Sequence, residues 1–400
     1  MRVLFSTTAG SGHFGPMVPF AQACRDAGHD VKVAAPASFA EAVAAAGLEH
    51  APFADVPPEV MGAVFSRLPQ VSREEADRIV MGEVFGRLDA QAALPGVTEI
   101  MATWRPDVIV REFCEFGSLV AALGAGIPQV EVAIGFAVAM EPALAIVAAP
   151  LTELEAIAGL PEGAAYGALA SGPVFSCIPA EIDGGNGTGG ERVTRFRDPS
   201  LTAAATAALP PWGDPGHPLV YVTFGSVAAG LPMFAGIYQS VLDALAGEPV
   251  RVLMTTGRAI DPGSLAPVPA NAQVAQWLPQ AGVMPHTDVV VGHGGFGTTM
   301  AALAGGVPQV VVPLFSYDQF VNAEQVAAVG AGVCLDGGVD AGPALAGAIA
   351  TVLGDPVYTE KARAVSAAMA SLSPVSLAVS ALEELVAADP ATEPPARRAR

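Results

Sequence analysis

The sequence has little positive charge and no paired cysteines, and these absences exclude several classes of protein. Lysine and arginine number 19 against 39 aspartate and glutamate residues, which gives a formal net charge of −20 at pH 7. Such a charge argues against nucleic acid or an anionic membrane as the main partner. The four cysteines are scattered and form no Cys-x-x-Cys pair. We therefore expect reduced thiols, a cytoplasmic location and no cysteine-bound metal.

Long uninterrupted apolar runs are also missing. The most apolar region, residues 119–151, is broken by glycine, proline, Glu131 and Glu141, which makes it a poor transmembrane helix. The first residues lack the parts of a signal peptide. No Gly-Lys-Ser or Gly-Lys-Thr sequence occurs, so a Walker-type phosphate loop is excluded.

What is present indicates two compact α/β domains. The chain has 400 residues, of which 52% are hydrophobic and 14% are charged. A strand at Val3–Thr7, a glycine-rich turn, a helix to about Ala27 and a strand at Val31–Ala35 predict a βαβ unit. The segment Leu119–Val132 closely matches Thr299–Val312, and each reads as a helix, a glycine turn and a buried strand. We expect two similar parallel-sheet domains with the ligand site in a cleft between them.

Composition places the domain boundaries, since residues 181–218 are rich in Gly, Pro, Asp and Thr. The predicted division is a first domain at 1–200, a linker at 201–218, a second domain at 219–372, a C-terminal helix at 373–388 that could return to the first domain, and a disordered tail at 389–400.

The run from Val289 to Thr299 is the most informative stretch. A β-branched strand ends in His293-Gly-Gly-Phe-Gly, and Thr298 or Thr299 then opens an apolar helix. Such a turn directs backbone N–H groups and the positive end of a helix at one point, which predicts a pyrophosphate pocket. Here His293 adds a donor that can carry charge.

Two glycine patterns also fit the dinucleotide fingerprint, Gly10-x-Gly12-x-x-Gly15 and Gly292-x-Gly294-x-x-Gly297. Neither is followed by an acidic residue at the end of the next strand, which a nicotinamide or flavin site needs for the ribose. A dinucleotide cofactor is therefore not favoured.

Taken together, these residues resemble the family 1 glycosyltransferases of the GT-B fold, and above all the actinomycete enzymes that decorate natural products. The resemblance is carried by Trp277-Leu-Pro-Gln280, by His293 to Thr298 and by Asp318-Gln319, and more thinly by Gly12-His13-Phe14-Gly15-Pro16. It implies two Rossmann-like domains and a nucleotide-diphosphate sugar as donor substrate, with no permanently bound cofactor.

The resemblance also implies roles for single residues. Trp277 would stack on the base, Gln280 would contact the base or ribose, and His293 and Thr298 would hold the pyrophosphate. Asp318 and Gln319 would bind sugar hydroxyls. The full set of predicted donor-binding residues is Gly12, Ser226, Trp277, Gln280, His293, Gly294, Gly295, Gly297, Thr298, Asp318 and Gln319. Ala301 and Gly297 replace a glutamate and an asparagine of plant members, which leaves the ribose contacts open.

The resemblance implies transfer of the sugar with inversion. We expect His13 to be the general base, in a glycine-rich turn before a helix whose positive end helps to keep it neutral. Glu112 is the predicted carboxylate partner, with Glu115 as the alternative. No Asp-x-Asp sequence occurs, so we predict that no divalent metal is needed.

The acceptor is predicted to be an apolar polyketide, macrolide or aromatic aglycone. The residues expected to contact it are Phe65, Phe85, Phe113, Phe116, Phe136 and Met140. Alternatives are a lipid-directed transferase, a sugar-nucleotide 2-epimerase, and a non-catalytic nucleotide-sugar binder or auxiliary protein. The sequence leaves open the base (uracil or thymine), the sugar (for which the resemblance favours a deoxysugar), O- or C-transfer and a homodimer.

Overall fold

The computed structural model describes residues 1–184, 190–202, 208–225, 230 and 232–388. These residues form two compact units. The first lies within Met1–Cys177, Gly185–Arg197 and Ser373–Arg400, and the second lies within Ile178–Gly184 and Asp198–Leu372. Predictions for Ser226 and for the tail 389–400 concern positions outside the described residues.

The first unit contains an eight-stranded parallel sheet. Its strands are β1 Arg2–Ser6, β2 Asp30–Pro36, β3 Glu49–Phe53, β4 Val108–Glu112, β5 Gln129–Val132, β6 Val174–Ser176, β7 Val193–Arg197 and β14 Ser373–Pro374. Their spatial order is β14-β7-β6-β5-β4-β1-β2-β3. The helices are α1 Ser11–Phe14, α2 Val18–Asp26, α3 Ala40–Ala45, α4 Pro58–Phe65, α5 Arg73–Arg78, a π-helix Ile79–Asp89, α6 Ala90–Trp104, α7 Phe116–Ala125, α8 Ala137–Ala158, α9 Ala164–Ser171 and α17 Leu377–Ala388.

The second unit contains a six-stranded parallel sheet. Its strands are β8 Leu219–Thr223, β9 Arg251–Thr255, β10 Ala272–Ala275, β11 Val289–Gly292, β12 Gln309–Val311 and β13 Gly332–Cys334. Their order is β10-β9-β8-β11-β12-β13. The helices are α10 Ala180–Asp183, α11 Gly236–Ala244, α12 Gln280–Val283, α13 Phe296–Ala304, α14 Tyr317–Ala328, α15 Gly342–Gly354 and α16 Pro356–Ser371.

Alternation along each strand divides the core of a unit into two layers. In β1, Leu4 belongs to one apolar cluster, whereas Val3 and Phe5 belong to the cluster on the opposite face. In β8, Val220 and Tyr221 likewise belong to two different apolar clusters. Successive strand side chains point to opposite faces, so a strand covered by helices on both faces must be apolar throughout. The two sheets confirm the predicted fold class of two Rossmann-like α/β units.

The internal repeat has the predicted structure in both units. Helix α7 leads through Gly126 to β5, and α13 leads through Gly306 to β12. Both glycines have a φ of 66°, in the left-handed region that favours glycine. Each turn returns the chain to a buried parallel strand and leaves the start of its helix at the carboxyl end of the preceding strand, β4 or β11.

The C-terminal segment packs on the first unit. Strand β14 pairs with β7, and Ala378 and Leu382 of α17 lie in the same apolar cluster as Phe20 of α2. Within the described residues, α8 is the one helix long and apolar enough to cross a membrane by length and composition. Such a helix also occurs in protein cores, and here Val147 and Leu151 are fully buried in the first unit.

A buried ion pair braces the centre of the first sheet. The Arg111 guanidinium lies 3.2 Å from a Glu131 carboxylate oxygen, and it also donates to the Gln129 side chain and to the backbone oxygen of Glu112. We predict that Arg111→Met lowers the free energy of unfolding by about 3–5 kcal/mol, because Glu131 is left as a buried carboxyl without its partner.

Urea unfolding checks this stability prediction. The double variant Arg111→Met/Glu131→Met should recover most of the loss, since no unpaired carboxyl remains. A double variant as unstable as Arg111→Met alone would contradict the explanation.

Candidate active site

His13 lies near the carboxyl end of β1, in the first unit. It is the third residue of the short helix α1, which follows Gly10. The structure therefore places His13 within the first turn of a short helix rather than in a turn before a helix. The reason is local, because Ser11 to Phe14 already adopt helical backbone and a 3₁₀ turn then leads into α2. The side chain is 22% exposed, so a reactant can reach it.

Glu112 is the residue placed against His13. It is the last residue of β4, which pairs directly with β1, and it is fully buried. Its Oε1 lies 3.2 Å from Nδ1 of His13. The same oxygen accepts hydrogen bonds from the backbone N–H and the hydroxyl of Thr8, and Oε2 accepts one from the backbone N–H of Cys114 at 2.6 Å.

The surroundings of Glu112 stabilise its negative charge. Burial by itself raises the pKa of a carboxyl, but the charge and hydrogen bond of His13 and the N–H groups of Cys114 and Thr8 outweigh that effect and lower the pKa of Glu112. Glu115 has a different role. It caps α7 by accepting from the backbone N–H of Ser118, and burial raises the pKa of its carboxyl.

Two features surround the dyad of His13 and Glu112. The ring of Phe85 lies 5.1 Å from the imidazole, centroid to centroid. A cavity of about 110 Å³ lies nearby; its walls include Thr8, Ala9, Phe53, Met61, Asp89, Ala93, Cys114 and Glu115. Phe53 and Met61 give it an apolar side, and neither was among the predicted acceptor contacts.

Three of the predicted acceptor contacts lie in the core instead. Phe116 and Phe136 are fully buried and Phe113 is 3% exposed, so these rings offer no surface to a ligand. The prediction is therefore wrong for these three. Phe65 is exposed, and Phe85 and Met140 are partly exposed. The sequence shows which residues are apolar, but not whether they line a pocket or pack a helix against a sheet.

One group of described residues has the composition of a metal site. Ligand atoms of His13, Glu112 and Cys114 lie within 4.8 Å of one another. Both Glu112 oxygens, however, already accept N–H donors, and those donors would compete with a cation for the same lone pairs. The arrangement suits a hydrogen-bonded base better than a metal centre.

His293 occupies a narrow slot in the second unit. It follows β11, and its ring passes between the backbones of Gly225 and Gly295. A Cβ atom on Gly225 would lie 2.7 Å from Cε1 of the ring, and one on Gly295 would overlap Nε2. Gly225 was not predicted as a site residue. Two features mark it as one: it lies just after the parallel strand β8, and its φ of 72° favours glycine.

Burial decides the charge of His293. Its side chain is buried, and this lowers the pKa to about 4. The imidazole is thus neutral near pH 7. Its Nδ1 is buried and has no hydrogen-bond partner among the described residues. A buried polar atom without a partner is rare in native proteins and is a candidate ligand contact.

The predicted phosphate loop is followed by a helix that begins earlier than expected. Helix α13 starts at Phe296, with Gly295 as its N-cap, rather than at Thr298 or Thr299. Thr298 therefore lies in the first turn, where helical N–H groups lack partners within the helix. Its hydroxyl accepts from the Gln280 side chain at 2.9 Å, so these two predicted residues are in contact.

Other predicted donor residues lie around this loop. Trp277 follows β10 and is 64% exposed, which leaves its indole face open. Asp318 lies in the first turn of α14 and is partly exposed. Gln319 is buried, and its side-chain oxygen accepts from the backbone N–H groups of Leu314 and Phe315. Gly12 of α1 and Gly297 of α13 are both exposed.

Asn322 is a supporting residue whose role the sequence did not reveal. From α14 its side chain donates a 2.7 Å hydrogen bond to the backbone oxygen of Gly294. Gly294 has a φ of 83°, and a Cβ there would lie 2.6 Å from the backbone oxygen of Gln319. The loop is therefore pressed against α14, and only glycine fits at position 294.

Comparison with known proteins identifies relatives of the whole chain. Two family models match: "Erythromycin biosynthesis protein CIII-like, N-terminal domain" at residues 22–151 and "Erythromycin biosynthesis protein CIII-like, C-terminal domain" at residues 239–385. The L-demethylnoviosyl transferase of Streptomyces niveus is 32% identical over 364 residues, which cover 89% of this chain and 90% of that protein.

Two further similarities extend over nearly the full length. The TDP-daunosamine transferase DnrS of Streptomyces peucetius is 27% identical, with 97% of each chain covered. The crystal structure of the glycosyltransferase SnogD from Streptomyces nogalater has a TM-score of 0.75 and 26% identity, and it covers 96% of this chain and 99% of that one. These similarities confirm the resemblance and the GT-B fold class predicted from the sequence.

The slot around His293 gives a test that needs no ligand. We predict that Gly295→Ala forces the imidazole out of its buried position, because the new Cβ would overlap the ring. The titration midpoint of His293 should then rise from about 4 towards the ordinary value of about 6.5. NMR of protein with ¹³Cε1-labelled histidine measures this midpoint.

Gly297→Ala is the matched control, since a Cβ there meets nothing within 4 Å. Its His293 midpoint should stay where it is in the parent protein. Equal midpoints in both variants would show that Gly295 does not shape the slot.

Proposed function

The chain belongs to the erythromycin biosynthesis protein CIII-like glycosyltransferases, and from this premise we propose that it transfers a sugar from a nucleoside diphosphate to a hydroxyl of a hydrophobic natural product. Membership makes the chain a glycosyltransferase of the natural-product type. The inverting mechanism, the base and the independence from metal are our proposal. The observation that carries it is the 3.2 Å contact between His13 and the fully buried Glu112.

His13 is the proposed general base. Because Glu112 faces Nδ1, the second ring nitrogen, Nε2, is left to take the proton of the acceptor hydroxyl. The imidazole becomes positively charged as it does so. The adjacent carboxylate stabilises that charge and fixes the ring orientation, which is the role of the acid in a histidine–carboxylate pair. A protein that only bound nucleotide sugars would have no use for this pair.

The acceptor oxygen then attacks the anomeric carbon as its proton moves to His13. The bond from that carbon to the diphosphate breaks on the opposite face, and the electron pair stays on the phosphate oxygens, which gives inversion. His293, the Thr298 hydroxyl and the first N–H groups of α13 are the proposed donors to the growing negative charge. Fixed donors of this kind do the work that a divalent cation does in metal-dependent enzymes.

The donor is proposed to be a thymidine diphosphate deoxysugar, with the uridine form as the alternative. The support is the name of the S. peucetius relative, a TDP-daunosamine transferase. Trp277, which is largely exposed, supplies a stacking face for the base. Asp318 and Gln319 are the proposed contacts to the sugar hydroxyls. The acceptor lies against the dyad, with Phe85 and the apolar walls of the cavity as proposed contacts.

We predict that His13→Ala lowers the rate of sugar transfer by about 10²–10⁴-fold, the usual contribution of a general base. Nucleotide binding should be unchanged, because His13 is not among the proposed donor contacts of the second unit. The measurement is the glycosylated product, followed by mass spectrometry with thymidine and uridine diphosphate sugars and a panel of polyketide and aromatic alcohols. Full transfer by His13→Ala would contradict the assignment.

His286→Ala is the control, since this histidine is exposed in the second unit and has no proposed role. Nucleotide binding without product in the parent protein, across the whole panel, would favour a non-catalytic binder.

Treatment with EDTA tests the predicted independence from metal. Transfer should continue at an unchanged rate after EDTA and gel filtration, because the proposed donors to the leaving diphosphate belong to the chain itself. A loss of more than about tenfold that Mg²⁺ or Mn²⁺ restores would contradict this part of the proposal.

A further inference from the structure

The π-helix beside the dyad has an unusual geometry. It runs for 11 residues, Ile79–Asp89, whereas π-helical hydrogen bonding occurs mostly as single-turn bulges and often at functional sites. Phe85 of this helix contacts the His13 ring. Asp89, one turn further along, closes the helix and lines the cavity. One irregular element thus places an aromatic ring against His13 and a carboxyl in the wall of the neighbouring cavity.

The carboxyl of Asp89 has no hydrogen-bond partner among the described residues, and only burial and neighbouring charges act on it. It shares the cavity wall with Thr8 and Cys114, the two residues whose N–H groups hold Glu112. Asp89 therefore lies on the same side of the first unit as the dyad. In the described part of the chain this carboxyl caps no helix and forms no hydrogen bond, so no structural role is evident for it there.

Charge couples Asp89 to the dyad. Burial raises the pKa of Asp89 to about 7; positive charge on His13 acts to lower it, and the carboxylates of Glu112 and Glu115 act to raise it. Near neutral pH both the protonated and the ionised form of this carboxyl are therefore populated. A proton arriving on His13 favours the ionised form of Asp89.

We propose that Asp89 is a positioning residue for the dyad, a carboxyl that releases its proton to water as the His13 imidazole gains one, so that the imidazolium acquires a second negative neighbour. The acceptor proton moves to Nε2 of His13, and the Asp89 proton leaves for solvent through the cavity. The positive charge gained by the base is thereby partly offset within the unit. The catalytic meaning rests on the proposed function, whereas the coupling can be measured without it.

All groups that titrate around Asp89 enter the measurement. The charges of His13, Glu112 and Glu115 act on its carboxyl, and Asp55 and Cys114 line the same cavity. Arg87 and Glu83, on the same helix, are engaged with Glu153 and Arg67. His13 is the histidine of this group, so its resonance reports the coupling directly.

The test is a pH titration of the full chain with ¹³Cε1-labelled histidine, observed by NMR. The chain has 6 histidines, and His13→Gln identifies the relevant signal. In the parent protein the His13 titration should show two inflections, as expected of interacting groups. In Asp89→Asn the titration should become single and its midpoint should fall by about 0.5–1 pH unit, less than the 1–3 units of a contact pair.

Glu83→Gln is the matched control, because it removes the same charge from the same helix at a side chain that is 35% exposed and paired with Arg67. Its His13 titration should equal that of the parent protein. A single inflection in the parent protein, an unchanged midpoint in Asp89→Asn, or the same shift in Glu83→Gln would overturn the proposal. A single inflection in the parent protein overturns the proposal even if Asp89→Asn does not fold.

Sugar transfer measured on the same samples separates the two hypotheses. A coupled His13 without any transfer supports the coupling between Asp89 and His13 and contradicts the proposed function, and with it the catalytic meaning of the coupling. Transfer without coupling supports the proposed function and overturns the role of Asp89.

Discussion

A fully buried carboxylate can remain charged only if donors surround it, and the arrangement around Glu112 meets this condition. Isolated in an apolar interior, the group would take up a proton instead. Thr8 donates two hydrogen bonds to Glu112 and Cys114 donates one. The imidazole of His13 makes the fourth contact. Thr8 follows β1 and Cys114 follows β4, so the pairing of these two strands assembles the cage. The strand pairing that forms the first unit therefore also keeps Glu112 charged.

The second unit follows a different physical rule. There the polar group, His293, is neutral. The backbone leaves space for its ring instead of supplying donors to a charge. Gly225 and Gly295 leave room for the imidazole of His293, and Gly294 lets the loop approach α14. Because the ring is buried without an ionic partner, it loses its proton and keeps one N–H donor at neutral pH. The run from Val289 to Thr299 contains no lysine or arginine to alter this balance.

The sequence revealed those parts of the structure that follow from local patterns. The two halves of the internal repeat, Leu119–Val132 and Thr299–Val312, carry helix, turn and strand signals that depend on neighbours in the chain, and both have the predicted structure. The pattern also located His13 and a nearby acid. It could not choose between Glu112 and Glu115, since that choice depends on which carboxylate ends the strand and which caps α7.

Other features depend on contacts between distant segments, and no local pattern contains them. Gly225 and Gly295 enclose one ring although 70 positions separate them in the numbering. No local pattern in the sequence indicated the π-helix Ile79–Asp89, which carries Asp89 to the cavity wall. Phe116 and Phe136 were misassigned for the same reason, because burial is decided by what packs over a side chain rather than by its type.

The two kinds of site have complementary consequences for the proposed transfer. A lysine in the phosphate loop would attract the intact donor and the departing diphosphate alike, and uniform binding of this sort does not accelerate a reaction. A neutral imidazole attracts the intact donor less. As the bond to the sugar breaks, negative charge accumulates beside His293 and favours a stronger hydrogen bond and a higher proton affinity of the ring. In the proposed transfer, stabilisation of the diphosphate charge by the second unit thus increases as the reaction proceeds. In the first unit, the carboxylate of Glu112 stabilises the positive charge that forms on His13.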